Sequence, residues 1–211
     1  IAGRAGRYLN DGNFGITGEC KEITSEDVEL LENHEFEEIR TLFWRNSNLN
    51  FNNPFSLIKS LEEKPQTGWL RKIHECEDER ALKYFLKDKS FNNLEFEKKT
   101  LELLWECCQI PDFVKKTYGN HYEVIGNVFK FLSSEKGQIT DEFMRIQLMK
   151  LDKLDGNVDS LSNRIANVRT WSYVSNKNNW TENQEYWIEK TKHLEDRLSD
   201  RLHEELTKTF I

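Results

Sequence analysis

The feature that most constrains this chain is the spacing of apolar residues toward its C-terminus. Val158, Leu161, Ile165, Val168 and Trp171 recur every three or four residues. Trp187, Leu194, Leu198, Leu202, Leu206 and Phe210 do the same, with one turn skipped. At helical period this puts the apolar side chains on one stripe and the intervening charges on the other side. Two long amphipathic helices follow, and each must bury its stripe against another element. Only 10 Gly and 3 Pro interrupt 211 residues, so long helices with short connections are expected throughout.

Upstream segments repeat the pattern. Ala81, Leu82, Phe85 and Leu86 form one face, and Leu94, Leu101, Leu104 and Trp105 form another that ends before Pro111. Tyr122, Ile125, Val128, Phe129 and Leu132 predict a helix stopped near Gly137. Ile139, Phe143, Ile146 and Met149 predict the inward face of the next, broken at Gly156-Asn157. Near the front, Thr24 is a helix cap with Asp27 three residues on, as in a capping box, and Val28 and Leu31 face inward. The one β signal is Phe14 to Thr17, after a turn at Asp11-Gly12. The asparagine-rich "NSNLNFNNP" marks a boundary, and Pro65 and Gly68 mark a second break. The expected fold is mainly α: a short α/β portion over residues 1–45, then a multi-helix bundle over 46–211.

The balance of 30 Lys+Arg against 37 Asp+Glu, net −7, excludes a uniformly basic nucleic-acid binder, although a local basic groove remains compatible with it. The 13 Phe, 6 Trp and 6 Tyr require a core. Cys20, Cys76, Cys107 and Cys108 contain no C-x-x-C pair, which predicts free thiols in a reducing compartment. No apolar run is long enough to cross a bilayer, and no signal-peptide pattern is visible. His74 and Cys76 lack a second matching pair, so no zinc site is expected. In "LDKLDGNVDS" a calcium loop centred on Gly156 would put Leu151 and Lys153 at ligand positions and Ser162 at the closing position. That segment is expected to be a helix end.

Chemistry concentrates in "GRAGR". Arg4 and Arg7 lie three apart, with Gly3 and Gly6 removing bulk beside them. Two planar, permanently charged forks at close range suit a γ-phosphate and its transition-state charge. The stretch resembles the sixth motif of superfamily 2 helicases, Q-x-x-G-R-x-G-R, at Gly3, Arg4, Gly6 and Arg7. With the following "DGNFGITGE" it is similar to the mitochondrial RNA-degradosome helicase family and its bacterial relatives. "LLWECCQIPDF", "RIANVRTWSYVSNKNNW" and "LEDRLSDRLHEELTKTF" look like the helical C-terminal region of the alphaproteobacterial members.

The resemblance implies that residues 1–45 are the tail of a second RecA-like domain. It also implies that Gly3 and Gly6 line an ATP cleft, that Arg7 is an arginine finger, and that Arg4 is a second nucleotide contact. The parent would use ATP and Mg2+ to translocate along single-stranded RNA or DNA, in the bacterial cytoplasm or, in a eukaryote, the mitochondrion. An exonuclease or other RNA-degradation protein is an implied partner. The sequence holds no G-x-x-x-x-G-K-[ST] loop and no D-E-x-H motif, so this piece alone is expected to be catalytically silent, its chain starting inside a motif. The alternative is a helical interaction module that docks an exonuclease and has no activity of its own; a free-standing regulatory protein is a third reading.

A second stretch, "NVRTWSYVSNKNNW", interleaves Arg169, Trp171, Tyr173, Lys177 and Trp180. Such residues stack bases and hold phosphates, which makes Arg169, Trp171 and Lys177 candidates for nucleic-acid contact. The competing expectation is that Trp171 and Val174 finish the inward stripe while Arg169 and Lys177 are solvated. Trp44 and Arg45 in "FWRN", near the boundary, fit such a nucleic-acid contact and a packing joint equally well.

Overall fold

The structure is a computed structural model that describes all residues except 1–5, 8, 9, 17, 19, 36, 37, 40, 89–96, 116, 117 and 211. Its elements run β1 (Gly6–Arg7), β2 (Asn10–Asp11), α1 (Ser25–Glu32), β3 (Leu42–Trp44), α2 (Pro54–Leu61), β4 (Leu70–Lys72), α3 (Glu77–Lys87), α4 (Lys98–Cys108), α5 (Tyr118–Leu132), α6 (Asp141–Leu151), α7 (Val158–Ser175) and α8 (Gln184–Phe210). The fold is mainly α with a small β component. Two compact units are present: Ile1–Trp44 with Gln66–Arg71, and Arg45–Pro65 with Lys72–Ile211.

In the first unit, β1 and β2 form an antiparallel hairpin with Gly6 opposite Asp11 and Arg7 opposite Asn10. The strand expected at Phe14 to Thr17 is therefore misplaced. Pairing is taken up by Asn10–Asp11, and Phe14 to Ile16 join no ladder among the described residues. Thr17 lies outside the described residues. The expected cap on α1 is present: Asp27 N–H donates to Thr24 Oγ1 at 3.1 Å, and the hydroxyl donates to Asp27 Oδ2 at 2.7 Å. α1 buries none of its residues. β3 and β4 form a second, parallel pair, with Leu42 N–H donating to the Trp69 carbonyl at 3.2 Å.

The second unit holds the core. The predicted faces of α3, α4 and α5 are buried at Ala81, Leu82, Phe85, Leu101, Leu104, Trp105, Ile125, Val128, Phe129 and Leu132; Leu94 falls outside the described residues. The asparagine-rich loop is tied down by its own amides. Asn48 N–H donates to Asn46 Oδ1 at 2.9 Å, Asn52 N–H to Asn50 Oδ1 at 3.0 Å, and Ser56 N–H to Asn53 Oδ1 at 2.8 Å, which caps α2.

Ile139 is buried and Phe143 packs against the core as expected, but the rest of the α6 face differs. Ile146 is 40% exposed and Met149 is 60% exposed, whereas Met144 and Leu148 are buried. An amphipathic helix with apolar residues on two overlapping stripes turns toward its neighbours whichever stripe they contact, and here that stripe is Met144–Leu148.

α7 and α8 pack along each other over Leu161, Ile165, Val168, Trp171, Trp187, Leu194 and Leu198. The skipped turn of α8 is Thr191, which is fully buried because its hydroxyl donates to the Trp187 carbonyl at 2.8 Å. Ile139 N–H donates to the Trp180 carbonyl at 2.7 Å, and Glu182 N–H to the Ile139 carbonyl at 3.2 Å. This short parallel bridge ties the α5–α6 turn to the α7–α8 turn. Gly156 adopts φ +121°, and Asn157 caps α7 through Ser160 N–H at 3.0 Å. Arg164 donates to the Lys153 carbonyl at 2.7 Å and Arg201 to that of Leu154 at 3.2 Å. Cations satisfy these chain carbonyls, as suits a helix end. No helix among the described residues is long and apolar enough to cross a membrane.

Candidate functional site

Gly3 and Arg4 lie outside the described residues. Gly6 and Arg7 form β1, so the second half of the Gly-Arg motif lies in a hairpin strand.

The Arg169–Lys177 stretch is not gathered on one exposed face. Trp171 is a core residue, edge-on to Phe143 at 5.8 Å between ring centroids. Its faces are unavailable for stacking a base, because α7 turns Trp171 inward with Val168 and Val174. Arg169 is exposed and pairs with Glu195 at 2.8 Å. Lys177 sits 5.2 Å from the Tyr173 ring centroid and 5.7 Å from that of the buried Trp180. Its ammonium is held by those rings.

Of the two readings of "FWRN", Arg45 takes that of a packing joint. Its guanidinium forks Asp78 at 2.8 and 3.0 Å and lies 5.2 Å from the Trp105 ring centroid. Burial works against its charge, but the Asp78 hydrogen bonds and charge outweigh this and raise its pKa.

A polar pocket of about 180 Å³ lies in the helical unit, lined in part by Asp112, His121, Asn163, Asn167, Thr170 and Trp171. Asp112, His121 and Thr170 are buried. Asp112 follows the Pro111 stop after α4, and its Oδ1 accepts from the N–H groups of Val114 and Lys115, both at 3.0 Å. His121 comes from the first turn of α5. Burial lowers its pKa, opposed by the Asp112 charge, the Ile110 carbonyl and Glu77, and the net shift is downward, which favours the neutral imidazole. Asn167 Nδ2 donates to the Asn163 carbonyl at 2.8 Å, while Asn163 Oδ1 is a buried acceptor without a partner among the described residues. Chemically this is an acceptor-rich recess suited to a small hydrogen-bond donor. Its only sequence signal is a histidine on the apolar side of α5, and histidines so placed are usually core residues.

No group of three or more His, Cys, Asp or Glu side chains among the described residues is placed to hold a metal ion. No protein-family model, curated protein or solved structure matches the chain.

Proposed function

We propose that this chain is the C-terminal part of an ATP-dependent RNA or DNA helicase of superfamily 2. It supplies the arginine motif of the nucleotide cleft and a helical unit that helps guide a single strand. The observation that carries this reading is the glycine-arginine pattern Gly3, Arg4, Gly6 and Arg7, in which all four positions match a motif whose chemistry requires paired guanidinium forks without neighbouring bulk. Arg7 is the arginine finger and Arg4 the second phosphate contact. ATP and Mg2+ supply the transferable phosphoryl group and its charge neutralisation. Residues to cradle the phosphates and hold the metal are absent from this sequence, so they belong to the partner RecA-like domain.

The test is the reading frame. An open frame running upstream through a phosphate loop and a D-E-x-H motif supports the proposal, and a start codon just before Ile1 overturns it. In the encoded full-length protein, Arg7→Ala then lowers ATP turnover at least about a thousandfold, the scale of an arginine finger, with nucleotide binding retained. Unchanged turnover overturns the assignment of Arg7.

A further inference from the structure

We propose that the recess walled by Asp112, His121 and one face of α7 is a binding site for a small primary ammonium compound, with the Asp112 carboxylate as its counter-charge. The site stands apart from the helicase reading: every residue that lines it belongs to the helical unit, and none to the glycine-arginine motif.

Three elements build the wall. Asp112 comes from the loop after α4, and His121 and Val124 come from one face of α5. Asn163, Asn167 and Trp171 recur every four residues along α7 and so share a face. The enclosed volume is about 180 Å³. A cavity of roughly 150 Å³ takes benzene, so this one admits a molecule of about six heavy atoms. Val124 and Trp171 give a short hydrocarbon an apolar side to lie against. His121, whose burial favours the neutral imidazole, carries a lone-pair nitrogen that can accept a hydrogen bond.

Charge selects the occupant. Asp112 is the only Asp, Glu, Lys or Arg in the wall among the described residues. It is buried, yet it forms no ion pair with a described residue. Both of its hydrogen bonds to described residues use Oδ1, which accepts from the N–H groups of Val114 and Lys115, and Lys115 itself is exposed. A buried carboxylate is costly without a cation, and this wall supplies none. An ammonium brings the charge and three N–H donors, which suit Oδ2 and the His121 nitrogen. A guanidinium forks both oxygens of a carboxylate, and here Oδ1 is already taken by the backbone. A metal ion finds too few ligands, because no group of three His, Cys, Asp or Glu among the described residues could hold one.

The experiment is an NMR titration of the 211-residue chain with n-butylammonium and, separately, with n-butanol, its neutral match in size. The His121 ring signals are followed throughout, identified by their loss in His121→Gln. Wild-type protein binds n-butylammonium saturably, with the His121 signals moving along the same curve, and binds n-butanol at least about tenfold more weakly, the scale of a hydrogen bond to a charged group. Asp112→Asn keeps an oxygen for the Val114 and Lys115 N–H groups and loses only the charge. It retains the wild-type far-UV CD spectrum and weakens n-butylammonium binding about 10- to 100-fold. If Asp112→Asn melts early, the comparison of the two ligands on wild type carries the test by itself. Equal affinity for n-butanol, unchanged binding in a folded Asp112→Asn, or saturation without movement of the His121 signals overturns the site. Absence of n-butylammonium binding overturns it too and assigns the recess to water. None of these outcomes bears on the helicase reading.

Discussion

The indole N–H of Trp187 donates to Asp141 Oδ1 at 2.7 Å. Trp187 belongs to the first turns of α8 and Asp141 opens α6, so one carboxylate joins two helices. Asn183 Nδ2 donates to the other Asp141 oxygen, and Asp141 N–H donates to Glu182 Oε2 at 2.9 Å. The N-terminus of α6 is thereby capped from the α7–α8 turn as well as by Thr140. Asp141→Ala is expected to cost about 2 kcal/mol of stability, since it strands a mostly buried donor. In a urea-unfolding cycle with Trp187→Phe, a coupling of about 1 kcal/mol confirms the bond. Strict additivity would show that it contributes nothing.

Trp171 and Arg169 lie two residues apart and have opposite fates. Trp171→Ala removes a buried ring packed on Phe143, and is expected to cost about 3–5 kcal/mol. Arg169→Ala breaks an exposed pair with Glu195 and should change stability by no more than about 0.5 kcal/mol. Thermal melts of the two variants check this; similar shifts in both would contradict the burial of Trp171.

Lys83 gathers three carboxylates: Glu75 at 2.7 Å, Glu79 at 2.9 Å and Glu62 at 3.0 Å. The Lys83 hydrogen bond holds the Glu75 pKa below its ordinary value, against a smaller effect of burial. A lowered carboxylate pKa contributes stability above the unfolded value, near pH 4.3–4.5, and that contribution is lost as pH falls through the folded value. Burial opposes the Lys83 charge, but its bonds to Glu75, Glu79 and Glu62 prevail and raise its pKa. Its contribution is therefore complete at neutral pH and disappears only at strongly alkaline pH. Lys83→Met should lower the urea midpoint at pH 7 and flatten the loss of stability below about pH 4.5. An acid limb as steep as that of wild type would refute the role of this cluster.

Gly156 is expected to resist substitution. Its φ of +121° is strained for any L side chain, and an added Cβ would collide with Ser160 Oγ. Gly156→Ala should cost about 1–3 kcal/mol. Gly156→Ala combined with Ser160→Gly relieves the collision but retains the backbone strain, so recovery should be partial. Urea midpoints of both variants measure it, and a neutral Gly156→Ala would contradict the backbone described here.

The helices were largely legible because their signals are local. Thr24 caps α1 through a hydrogen bond three residues long. Pro111, Gly137 and Gly156 fall at the breaks, and the α7 stripe is buried as its spacing predicts. The candidate site was less legible. Arg169, Trp171 and Lys177 form a persuasive row in sequence, but side chains one or two positions apart on a helix point in different directions. The pocket around Asp112 and His121 draws on α5, α7 and the loop after α4, which no short motif spans.

The sequence alone determined that this chain is a set of amphipathic helices preceded by a short mixed segment, with the start of α1 at Thr24 and breaks at Pro111, Gly137 and Gly156. Those outcomes depend on periodicity and on capping within one turn. Tertiary structure alone decided which stripe of α6 turns inward and that a threonine completes the α8 stripe. It also decided that Asp112 and His121 share a recess with one face of α7. Each of these depends on a partner distant in sequence, and periodicity specifies a buried stripe without specifying what will cover it.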